Sequence, residues 1–131
     1  MGKLIVIEPG KEARAVDHVV RVDLRDLHHY IGEARCLDAV SLGYVPGGRR
    51  VVLWIDDEGL LNDAVPNRVL PSGALICGTM VVVAVDGEDD VPLTEEEAAF
   101  ILRDVEQRWI RVGADYPKPE PEFRIISLGK L

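Results

Sequence analysis

Leu75-Ile76-Cys77-Gly78-Thr79-Met80-Val81-Val82-Val83-Ala84-Val85 is the run whose reading decides the fold. It is the strongest β signal in the chain, with three consecutive valines at its centre. Apolar side chains at successive positions, not alternate ones, read as a central strand covered on both faces. Downstream, Thr94-Glu95-Glu96-Glu97 matches a capping box, the Thr hydroxyl accepting from the N3 amide and Glu97 reaching back to the cap. Ala98, Ile101, Leu102, Val105, Trp109 and Val112 then fall on one helical stripe, which Gly113 is expected to end.

Upstream, Leu4–Ile7 is a short β-rich run stopped by Glu8-Pro9-Gly10, and His18–Val22 is expected to pair with it as a hairpin. Asp23 reads as an N-cap, with Leu24, Leu27 and Ile31 at helical spacing and Gly32 as the C-terminal cap. Cys36–Leu42 and Arg50–Ile55 form a second hairpin across the loop Gly43–Arg49. Asn62–Pro71 carries two prolines and little periodicity, so it reads as irregular. The fold class that results is α+β: a mostly antiparallel sheet with two helices, one short and one long and C-terminal, packed on one face. Residues 1–113 are expected as a single compact domain. Residues 114–131 read as a Pro-rich linker (Pro117, Pro119, Pro121) followed by a strand or arm, Phe123–Leu128. That arm is a candidate for exchange in a homo-oligomer.

Composition bounds the partners. The chain has 131 residues, 47% apolar, and a net charge of −8, which argues against direct binding of a nucleic-acid backbone. Cys36 and Cys77 lie in separate apolar runs and read as two buried thiols of a reducing compartment. No signal peptide and no stretch approaching the roughly 20 apolar residues of a membrane span is read, so a cytoplasmic location is expected.

Catalytic and metal signatures fail residue by residue. His28 and His29 are adjacent on a helix, diverge by about 100°, and cannot share a metal easily. A metal would have to be assembled from His18, Cys36 or Cys77 across strands, and no metal or cofactor is expected. Neither cysteine has the electropositive setting of a nucleophile, and no Gly-x-Ser-x-Gly elbow exists. The Gly43–Arg50 loop lacks the Gly-Lys-Ser/Thr ending of a phosphate cradle, although Arg49 and Arg50 could touch an anion. The acidic stretch Asp86–Glu97 does not have EF-hand spacing; it reads as a solvated loop, or as a mimic of nucleic-acid charge.

The informative segment is Val65-Pro66-Asn67-Arg68-Val69-Leu70, followed by Gly78-Thr79. Asn67 and Arg68 are polar residues between apolar ones, and Gly78 interrupts a strand, where a ligand or another backbone often approaches. Structural duties fit the same residues: Asn67 bonding a turn, Arg68 pairing Asp56, Asp57 or Glu58, Gly78 forming a bulge. As a ligand site the set is Asn67, Arg68, Gly78, Thr79 and Glu58, with no catalytic residue assigned.

With Val6–Glu12, the helix Leu24–Gly32, Asp57-Glu58-Gly59, Pro66-Asn67-Arg68, Gly78-Thr79 and Leu93-Thr94, the chain resembles a family of small proteins of unknown function. That family is frequent in phages, plasmids and the bacteria they inhabit, and the resemblance covers roughly residues 4–110. It implies an accessory gene product, in the host cytoplasm if phage-encoded, and supplies no activity. The function expected is that of a non-enzymatic accessory protein binding a host protein or a small anionic ligand, with a counter-defence or host-takeover role. The alternatives are an acidic charge mimic inhibiting a nucleic-acid enzyme, and a small-substrate enzyme with Glu58 as base and Arg68 as anion clamp.

Overall fold

The computed structural model describes residues 2–32, 36–59 and 63–118. In chain order the elements are β1 (Lys3–Ile7), β2 (Arg14–Asp17), α1 (Leu24–Ile31), β3 (Leu37–Tyr44), β4 (Arg50–Asp56) and β5 (Pro66–Val69). They continue with β6 (Leu75–Cys77), β7 (Met80–Asp86), β8 (Asp89–Val91), α2 (Glu95–Arg108) and β9 (Ile110–Arg111). Every pairing between these strands is antiparallel. The chain is therefore α+β, and its described residues form two helices and a mostly antiparallel sheet.

β7 lies at the centre of the main sheet, in the order β2-β1-β7-β4-β3. On one side it pairs with β4; on the other, β1 takes Met80–Val82 and β8 takes Ala84–Asp86. Met80 to Ala84 are fully buried, because both faces of the strand are covered. Met80, Val82 and Ala84 pack with Ile5, Leu53 and the α2 residues Ala98, Ile101 and Val105. Val81 and Val83 pack with Leu4, Val52 and Leu27 of α1. Since side chains alternate along a strand, the two helices lie on opposite faces of the sheet, not on one face as the sequence suggested.

Three further boundaries differ from expectation. The partner of β1 is Arg14–Asp17, whereas His18–Val22 is loop, with Val19 and Val20 exposed. The run from Leu75 to Val85 is two strands: β6 belongs to a second, three-stranded sheet, β6-β5-β9. Gly78 makes the break at φ +83°, where among the described residues an added Cβ would meet Ala64 alone, at 3.5 Å, an ordinary contact, so it is the conformation that demands glycine. The stretch expected to be irregular contains β5, whose register slips between Pro66 and Arg68, leaving Asn67 as the extra residue of a bulge.

Both helix starts are as read. Asp23 and Thr94 each form a capping box, with Asp26 and Glu97 respectively. α1 is capped by Gly32, while α2 ends at Trp109 so that the chain can enter β9, ahead of Gly113. The expected strand Phe123–Leu128 falls outside the described residues. Among the described residues, no helix is long and apolar enough to cross a membrane.

Candidate functional site

β5 is the element on which the candidate site turns. Asn67 is wholly buried, and its Nδ2 donates to the carbonyls of Ile7 and Gly78, both at 2.8 Å. The bulge thus aims one amide between the two sheets, tying β1 of the large sheet to the β6–β7 corner. Arg68 is 2% exposed. Its Nη1 donates to Oδ1 of Asn67 at 2.6 Å and to the Asn67 carbonyl at 3.3 Å, and its Nη2 to the carbonyl of Lys11 at 2.7 Å.

No carboxylate is among these partners. Burial, and then the charge of Arg111, push the Arg68 guanidinium below its ordinary range. Arg111 stands directly opposite Arg68 in the β5–β9 ladder, so the fold places two like charges at one cross-strand pair. Such a pair is destabilising by itself.

Both arginines line a cleft of about 290 Å³. Ala13, Leu102, Val105 and Trp109 supply its apolar wall, and Glu12 and Glu106 complete the lining. Among the described residues, neither glutamate forms an ion pair with Arg68 or Arg111. The Trp109 indole N–H is engaged with Asp104 Oδ2 at 3.2 Å, which fixes the ring.

Of the five sequence-derived ligand residues, Arg68 alone lines this cleft. Asn67 supports it from inside. Gly78 accepts from Asn67 and donates its N–H to Val65 at 2.8 Å, and Thr79 is half-buried beside it. Glu58 is in the turn after β4, with its N–H on Asp56 Oδ1, and its carboxylate raises the Cys36 thiol by hydrogen bonding. Among the described residues, Arg68 forms no ion pair with Asp57 or Glu58, and the structure does not bring Glu58 to the cleft. Arg111, Glu12 and Glu106 were not legible as site residues, because only tertiary pairing brings them together.

Cys77 is buried and its thiol is pushed up by desolvation, but Cys36 is exposed, contrary to the reading of two buried thiols. Its thiol is raised chiefly by Glu58, with Asp57 and Asp56 adding to the effect. Arg49 is held by Glu97 and the Pro92 carbonyl, fastening the β3–β4 hairpin to the start of α2. The acidic stretch does not present all its carboxylates: Glu97 is buried on Arg49, and Asp90 accepts from the Trp54 indole at 3.1 Å. Among the described residues, no group of three or more His, Cys, Asp or Glu side chains could hold a metal.

A family model described as a domain of unknown function (DUF3846) matches residues 2–107. The chain belongs to this family. The DUF3846 match takes in Glu12, Arg68 and Glu106 and stops before β9, which contributes Arg111. No curated protein and no solved structure is matched by the chain.

Proposed function

We propose that the protein is a non-enzymatic accessory protein, encoded by a phage or mobile element, that binds a small anionic ligand in the Arg68–Arg111 cleft. One observation carries the reading: two arginines oppose each other across β5 and β9, one of them buried, and among the described residues neither forms an ion pair with a carboxylate. A buried charge is costly unless it is paired, and carbonyl contacts compensate Arg68 only in part. An anion bridging the two arginines would relieve both the desolvation and the mutual repulsion. Guanidiniums suit this role because their fork matches a carboxylate or phosphate.

The alternatives find less support. A small-substrate enzyme needs Glu58 and Arg68 on one substrate, and Glu58 lies outside the cleft lining. A charge mimic needs an unbroken acidic surface, and Asp90 and Glu97 are turned inward to partners.

Native mass spectrometry, before and after incubation with a bacterial small-molecule extract, tests the proposal. A reproducible added mass should appear on the wild type and be lost in Arg111→Ala, an exposed position that can change without disturbing the core. No added mass, or one that survives Arg111→Ala, would overturn the reading.

A further inference from the structure

We infer that the ligand of this cleft is zwitterionic: an α-amino acid, or a small derivative of one, with an apolar side chain. The inference rests on the cleft being an anion site, and it comes from the rest of the lining. Glu12 and Glu106 share the cleft with Arg68 and Arg111, so the lining carries two negative and two positive groups. A phosphate monoester or a dicarboxylate would find its second negative charge opposed by these glutamates, whereas a carboxylate joined to an ammonium matches both signs.

Burial separates the two halves. Arg68 is fixed in the β5 bulge, whereas Glu12 and Glu106 are exposed, on the β1–β2 loop and on α2. The carboxylate would thus seat deep, against the pre-ordered guanidinium, and the ammonium would lie toward the rim. Ala13, Leu102, Val105 and Trp109 form the surface left for a side chain. A polar side chain would gain nothing from the Trp109 ring, whose N–H is already committed to Asp104. The volume, about 290 Å³, lies at the lower end for small-molecule pockets, which suits a molecule of amino-acid size better than a nucleotide.

Isothermal titration calorimetry on the full chain tests this with leucine, 4-methylpentanoate (leucine without its amine), 3-methylbutylamine (leucine without its carboxylate) and inorganic phosphate. Leucine should bind. 4-Methylpentanoate should bind about tenfold more weakly, as expected for loss of a charge-assisted hydrogen bond, and the amine should not bind. In the Glu12→Gln/Glu106→Gln double variant the preference for leucine over 4-methylpentanoate should vanish, while Arg111→Ala should weaken both alike. If 4-methylpentanoate or phosphate binds as well as leucine, the zwitterion inference fails and the anion site stands. If leucine, phenylalanine and methionine all fail to bind, the inference fails. A mass retained from the extract would then keep the anion reading alone, and its absence would remove both.

Discussion

Asn67 and Arg68 are adjacent in sequence and carry different loads. Asn67 satisfies two backbone carbonyls, one on β1 and one at the β6–β7 corner, and positions the Arg68 guanidinium through Oδ1. Asn67→Ala would strip the buried Ile7 carbonyl and the part-buried Gly78 carbonyl of this donor, at a cost of roughly 1–3 kcal/mol. Urea unfolding should show this as a lower midpoint with an unchanged slope. Arg111→Ala removes a repulsion from an exposed position, so its stability should match or slightly exceed that of the wild type while ligand binding falls. Arg111 is the cleaner probe of the site, since truncating Arg68 also opens a buried hole and strips the Lys11 carbonyl of its donor. Sequence singled out Arg68 as a candidate because a charged residue between apolar neighbours must be either paired or used. It could not place Arg111, Glu12 or Glu106, which are ordinary surface residues until β9 pairs with β5 and α2 packs beside them.

At the level of elements, the signals that held are those written in local chemistry. Asp23 bonding Asp26, Gly32 bonding His28, and Thr94 bonding Glu97 are hydrogen-bond patterns closed within a few residues, and both helices start where the caps indicate. The signals that failed depended on partners elsewhere. His18–Val22 has strand composition, yet β1 pairs with Arg14–Asp17, and β propensity alone does not choose a register. Gly78 was legible as an interruption but not as the corner between two sheets. Gly78→Ala should cost about 1–2 kcal/mol, the penalty of a left-handed conformation for an L-residue, read from thermal or urea unfolding. The Arg49–Glu97 contact gives the α2 start a pH dependence. The hydrogen bond from Arg49, more than the one from Thr94, holds the Glu97 carboxyl below the ordinary glutamate range against the opposing effect of burial. A depressed folded value means that its stabilisation is complete above the unfolded value of about 4.3 and is lost as pH falls through the folded one. Urea midpoints should therefore drop on acidification below that value, and Glu97→Gln should flatten this part of the profile while lowering stability at neutral pH.

For the whole molecule, the same buried strand that fixed the fold class also decides the layering. A run apolar at every position needs cover on both faces, and two helices on one face could not provide it; placing α1 opposite α2 resolves the conflict. The arrangement leaves the cleft on the α2 side, between the long helix and the small sheet, within a molecule of net charge −8. That field repels anions at long range, while the pair of arginines attracts them at short range. Salt separates the two effects, because it screens exposed, distant charges far more than contacts in a partly buried site. A zwitterion has no net charge for the field to act on, so leucine affinity should change little between about 0.02 and 0.2 M salt. An anion without an ammonium group should instead bind more tightly as salt weakens the repulsion. Titrating leucine and 4-methylpentanoate at the two salt concentrations reads the difference directly. Parallel salt dependence of both ligands would mean that the field of the whole molecule does not set their affinities, and that contacts inside the cleft alone decide them.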